Sequence, residues 1–379
     1  MTSRGSLRGR IDGWIFESHP ASPESLSLFR IVYALYLLAI GMPYATWVSA
    51  MPDAVWDPPR GPLRLLSGFP PPAFLHAATL LLSISAVALL VGYRTRLASL
   101  ATGALLVLLI GFEFCFGTVH HNRHLLMIVP LALAGSGWGA RHSVDAARGA
   151  RAPADGGWAL CWLALWIGLF YLTGGAAKIE GGWLDPWTHA TQYHVARAGG
   201  LAADALPGAA WELLDYGAVM FETGFLLAIA RLRTTRIACC IAILFHLATL
   251  QWMRIHFGEP VIAYAAFVAW DRLPLARRLL AAVAAVTARL ARPAPAVVVV
   301  VAGALYFVFH QTVGSPLSMS PPWSPTARWL YWVVPALVAL VHLARQARRY
   351  ARSLRSRPHQ ARAISPSAAS TPVDGSGTE

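Results

Sequence analysis

Lysine is nearly absent from this chain of 379 residues. Lys178 is the only one, and the other 30 of the 31 basic residues are arginine. Charge of any kind is scarce: 13% of residues are charged, about half of the roughly 25% a soluble domain carries, which excludes an ordinary water-soluble fold. Cysteine is scarce as well. Cys115, Cys161, Cys239 and Cys240 all fall inside apolar runs and none forms a CxxC pair, so neither a disulfide framework nor a thiolate zinc site is indicated. A P-loop, a GxGxxG fingerprint, an HExxH helix and a Ser–His–Asp arrangement are also missing. Their absence sets aside the common ATPases, nicotinamide enzymes and hydrolases.

What is present is apolar. Hydrophobic residues make up 56% of the chain, mean hydropathy is +0.51, and long apolar runs recur from Leu26 to His342. This composition predicts an all-α, polytopic transmembrane helical bundle. A crossing needs about 20 apolar residues, and ten runs qualify: 26–50, 72–92, 97–116, 123–139, 158–178, 211–230, 236–253, 256–270, 296–311 and 327–343. The fourth and eighth are short, as a re-entrant or tilted segment would be. The first is too long for the apolar core of a signal peptide and is read as a retained span.

Arginine punctuates these runs and forms no face of its own, so the net charge of +13 does not point to nucleic acid. One set of loops carries Arg4, Arg8 and Arg10, then Arg94 and Arg96, Arg141, Arg148 and Arg151, Arg231, Arg233 and Arg236, Arg272 to Arg292, and the tail from Arg345. The alternate loops hold fewer basic residues. By the positive-inside rule both termini are cytoplasmic, in a cell (inner) membrane, and Lys178 ends its span on the extracytoplasmic side. The expected division is a cytoplasmic segment 1–25, a transmembrane domain 26–272, additional helices 273–344, and a basic then disordered cytoplasmic tail 345–379.

Polar groups inside a bilayer are costly, so each is a functional candidate. His120, His121, Asn122, Arg123 and His124 open the fourth run. They read either as hydrated interfacial histidines or as hydrogen-bonding and acid–base groups; a metal site would need a third ligand. Tyr171 to Lys178 closes the fifth run. Lysine differs from arginine in being able to lose its proton, so Lys178 reads either as a base or as a side chain snorkelling to the interface. Gly174, Gly175, Ala176 and Ala177 beside it would let another helix approach closely. Glu222 and His246 lie within later runs, with Glu113 and His256 near run ends. They are either structural hydrogen-bond partners or a proton relay.

Taken in order, the motifs resemble the horizontally transferred transmembrane (HTTM) domain family across residues 25 to 272. Ser27-Leu28-Phe29-Arg30-Ile31 resembles its opening, His121-Asn122 its fourth-span entry, and Ser143-Val144-Asp145 its Ser-x-Asp signature. Tyr171, Gly175, Lys178 and Trp183 resemble its Tyr-x-x-x-Gly-x-x-Lys…Trp motif, and Glu222 and Phe245-His246-Leu247 its later stations. The family includes the membrane part of vitamin K-dependent γ-glutamyl carboxylase, where the matching lysine is held to deprotonate a lipid hydroquinone with a histidine assisting. The resemblance therefore implies catalytic roles for Lys178 and for His121 or His120. It implies substrate-binding roles for Glu222, His246, Trp183 and Tyr171 in a lipid-accessible outer cavity, and a quinol such as menaquinol as reactant. The chain departs from the carboxylase in having short outer loops and Pro186 where glycine is common, so glutamate carboxylation itself is not expected. Beside the lipid bilayer, a small peptide or another membrane protein is the expected partner. The alternative reading is a non-catalytic membrane partner or small-solute transporter.

Overall fold

The computed structural model describes residues 6–119, 121–150, 156–199, 204–292, 294–314 and 325–362. Arg4, Arg151, the Pro-Pro-Trp stretch at 321–323 and the tail beyond Arg362 lie outside them. The described residues are helical, without a sheet. In chain order the helices are α1 (Leu7–Glu17), α2 (Pro23–Tyr36), α3 (Pro72–Val91), α4 (Thr95–Glu113), α5 (His124–Leu133), α6 (Val144–Ala147) and α7 (Gly157–Glu180). They continue with α8 (Ala190–Arg197), α9 (Gly208–Ala228), α10 (Leu232–Met253), α11 (Gly258–Tyr264), α12 (Pro274–Leu290), α13 (Pro295–Val313) and α14 (Pro325–Arg362).

Six of the ten expected runs are helical segments long and apolar enough to cross a membrane: Pro23–Ala50, α3, α4, α7, α10 and α13. Of the other four, α9 has the length, but Glu212, Asp215 and Glu222 dilute its hydropathy. α14 is longer still, at 38 residues. α5 and α11, at 10 and 7 residues, rise only about 15 and 10 Å, half or less of a hydrocarbon core of about 30 Å. They pack on one another, and Asn122 Nδ2 donates to Glu259 Oε2 at 3.0 Å across the junction. α12 falls where the sequence suggested only a basic loop; it is amphipathic, with Arg278 and Arg289 exposed.

Where the chain cannot satisfy its own backbone, a side chain from elsewhere does. Pro130, inside α5, has no N–H to offer Leu126 O one turn back. The Tyr33 hydroxyl donates to that carbonyl instead, at 2.7 Å. A π-type turn at Leu37–Gly41 runs into Pro43, which cannot continue the pattern back to Leu38 O, and Tyr306 of α13 donates there. α13 comes this close through Gly303, where a Cβ would sit 2.6 Å from the Ile84 Cα of α3.

Arg30 is the largest example. It is fully buried in α2 and makes four hydrogen bonds to backbone carbonyls. Nη1 donates to Leu89 O and Leu90 O at the end of α3, Nη2 to His142 O at 2.7 Å, and Nε to Trp138 O at 3.2 Å. The C-terminal dipole of α3 favours a cation at this position. Close by, Asp145 caps α4 by accepting from Arg94 N, Thr95 N and Thr95 Oγ1 at 2.7–2.8 Å. Ser143 Oγ caps α6 by accepting from Ala146 N. The Ser-Val-Asp motif thus joins two helix N-termini on the face where α2 begins.

Arg30→Leu strips four carbonyls of a charged donor, at about 1–3 kcal/mol for each group left unpaired. The expected outcome is loss of the folded protein, or a thermal midpoint in detergent lowered well beyond that of Arg94→Leu on the exposed surface. Equal midpoints for the two variants would contradict the assigned role.

Candidate functional site

The site is built where α7 and α9 pack face to face. Gly175 makes this possible: a Cβ there would meet Thr223 Cγ2 at 2.8 Å and Thr223 N at 3.1 Å. A Cβ at Gly174 would lie 3.3 Å from Glu222 Oε2. With no side chains between the helices, Glu222 reaches across α7 to Lys178, one turn further on. Lys178 Nζ donates to both carboxylate oxygens, at 2.8 Å to Oε1 and 2.6 Å to Oε2. The Glu222 side chain is 8% exposed and that of Lys178 23%.

The third side of the amine is covered by Trp183. α7 ends in a turn through Gly182, whose φ of +76° suits glycine. Trp183 N donates back to Lys178 O at 3.0 Å, and the indole lies over Nζ with its centroid 5.2 Å away. Trp183 also stacks on His194 of α8 at 5.7 Å. α8 is itself fixed to α9, because Thr191 N and Oγ1 both donate to the buried Asp215.

Two turns before Lys178, on the same stripe of α7, lies Tyr171. Its hydroxyl is 2.7 Å from His246 Nε2 of α10 and 2.6 Å from the Tyr264 hydroxyl of α11, which is 3.2 Å from His246 Nε2. The three buried groups form a close triangle: Nε2 is either a donor or an acceptor, so one of its two tyrosine contacts completes a hydrogen bond while the two hydroxyls bond to each other. Phe225 stacks under Tyr171 at 4.3 Å, and Phe257 lies against His246 at 4.8 Å. Glu222 is within electrostatic reach of both tyrosines. The ion pair and the triangle are therefore neighbouring parts of one polar interior.

The structure brings together Lys178, Glu222, Trp183, Tyr171 and His246 among the candidates. His120 lies outside the described residues, and of His121 only the backbone is described. The rest of that histidine segment is used differently. Asn122 bonds to Glu259, and Arg123 pairs with Glu113. His124 sits edge-on to Phe114, where it lines an apolar cleft of about 670 Å³ between α4, α5 and α7. Phe170 and Thr173 line the cleft from another stripe of α7; Lys178, Glu222 and His246 do not line it. His256 accepts from Gly258 N and faces Tyr331 and Trp332 of α14. Among the described residues no three His, Cys, Asp or Glu side chains gather as metal ligands. Tyr264, within the eighth apolar run, was not among the residues singled out from the sequence.

A model of the HTTM domain matches residues 18–267, which is 250 of the 379 residues. The chain belongs to the HTTM-domain family. No curated protein matches it, and no solved structure does. The HTTM match takes in Arg30, the Ser-Val-Asp caps, the Lys178–Glu222 pair and the Tyr171–His246–Tyr264 triangle. α1 lies before it, and α12 to α14 follow it.

Gly175→Val places three carbons where Thr223 already stands. The expected outcome is a loss of about 1–3 kcal/mol of stability from overpacking, larger than for valine at the open Gly217 of α9. Thermal unfolding of the two variants in detergent checks this.

Proposed function

We propose that this is a multi-pass inner-membrane HTTM protein in which Lys178 and Glu222 form a proton-transfer pair acting on a lipid-soluble acid, with a quinol such as menaquinol as the candidate. The observation that carries this reading is the bond of 2.6 Å between the chain's only lysine and a carboxylate 8% exposed. Moving one proton across that bond converts ammonium and carboxylate into amine and carboxylic acid. The amine form can then take the proton of a phenolic O–H, leaving a quinolate beside Lys178 ammonium. Arginine could hold the charge here but could not exchange the proton near neutral pH.

The surroundings suit an aromatic acid. The Trp183 indole covers one side of Nζ, and Ile179 beside it is exposed. Tyr171, His246 and Tyr264 extend the polar interior by three exchangeable protons, and His121 or His120 remains the proposed helper from the histidine segment. In this reading Glu222 accepts and returns the proton, and Trp183 orients the reactant.

A second reading is a non-catalytic membrane partner or small-solute transporter. It is favoured by the closure of the pair: both Glu222 oxygens bond to Nζ and Trp183 covers another side. One experiment separates the two. Purified wild type and Lys178→Arg are compared for binding and turnover of menaquinol and soluble quinol analogues. If Lys178 acts as base, arginine at this position lowers turnover by about 10²-fold or more, while the protein still folds and keeps its carboxylate partner. Equal behaviour of the two proteins would sink the enzymatic reading and leave the structural one.

A further inference from the structure

A second polar site lies at the other end of the bundle. α9 ends at Ala228 and α10 begins at Leu232, so the turn between them marks one face of the membrane slab. The end of α1 is held against this turn: Leu232 N donates to Ser18 O at 3.1 Å, and His19 Nε2 is 3.0 Å from Thr235 Oγ1. The end of α1 also packs on α7, whose first turns lie about 25 Å before Lys178 along the helix. α14 packs on α10 and closes the third side.

These elements enclose a cleft of about 770 Å³. Its walls carry Arg231, Arg233 and Arg236 from the turn and the start of α10, and His342 and Arg349 from α14. Trp14 and Glu17 line it from α1. Four arginines thus line the cleft with one acidic residue. Among the described residues none of the four is in an ion pair. Arg236 Nε donates to Phe267 O at 2.6 Å, and Asp271, the acid within its electrostatic reach, accepts from the Ser25 hydroxyl. Unmatched positive charge in a concave site draws an anion, and the guanidinium fork matches phosphate oxygens two at a time.

The flanks say which anion. α1 exposes Leu7, Ile11 and Phe16 beside the cleft's Trp14. α9 exposes Leu227 within two turns of the cleft, and α14 exposes Val338 and Val341 just before His342. A charged head held at the arginines would have apolar protein surface running from it into the slab. We propose that this cleft binds the phosphate headgroup of an anionic phospholipid, whose acyl chains lie along α9 and α14. Basic pockets between helix ends on the cytoplasmic side are suited to such headgroups. α1 and α14 both lie outside the matched residues 18–267, so a lipid here would join the HTTM domain to the helices that flank it on either side in sequence.

The test is native mass spectrometry of the full chain, titrated with phosphatidylglycerol or phosphatidylcholine. Wild type is expected to retain phosphatidylglycerol preferentially. Each arginine removed weakens binding about five-fold, so Arg233→Gln with Arg349→Gln weakens it about twenty-five-fold. The pair Arg94→Gln with Arg96→Gln, exposed and outside the cleft, leaves the preference intact. Three results would overturn the proposal: no preference for phosphatidylglycerol in wild type, equal losses for the two double variants, or full displacement of the lipid by inorganic phosphate at equal concentration. The last would make the cleft a site for soluble phosphate. The wild-type comparison decides even if a double variant fails to fold.

Discussion

Inside a bilayer there is no water to satisfy a polar group, so each one must find its partner within the protein. This constraint organises the molecule. At Pro130 and Pro43 a tyrosine from another helix takes the carbonyl that the missing N–H leaves free: Tyr33 for Leu126 and Tyr306 for Leu38. Arg30 gathers four carbonyls from the end of α3 and from the 138–142 loop. These bonds serve as fasteners between helices whose apolar surfaces alone specify little, because lipid tails are as apolar as leucine.

The Lys178–Glu222 pair obeys the same constraint, with a difference that gives it functional interest. Arg30 offers only permanently protonated donors to carbonyls that cannot ionise. Lys178 and Glu222 can both gain or lose a proton, and a single transfer along their bond neutralises the two together. Removing either partner would leave a charge in a place where an unpaired charge is strongly unfavourable. Each group therefore conditions the protonation of the other, and the neighbouring Tyr171–His246–Tyr264 triangle adds further exchangeable protons.

Much of this was legible in the residues, but unevenly. Six apolar runs announced membrane-length helices because twenty apolar residues have few other uses. The short lengths of α5 and α11 were also visible, though their packing on one another was not. α12 was hidden, since its arginines lower the local hydropathy and its amphipathic spacing was read as loop. In the site, Lys178 stood out by its uniqueness and Glu222 by its depth, yet they are 44 residues apart. Their pairing depends on how closely α9 approaches Gly174 and Gly175, a tertiary fact. Small residues signalled that some helix would come near and could not say which. Arg30 and Asp145 were readable as parts of a motif, while their work as a carbonyl clamp and a helix cap appears only in three dimensions.

The central claim is that Lys178 and Glu222 form one energetically coupled unit. A double-mutant cycle on thermal stability in lipid nanodiscs, using Lys178→Met, Glu222→Gln and the double variant, measures it directly. The account predicts that the double variant is more stable than the sum of the single losses implies, by about 1–3 kcal/mol. Additive losses, with no coupling, would contradict it.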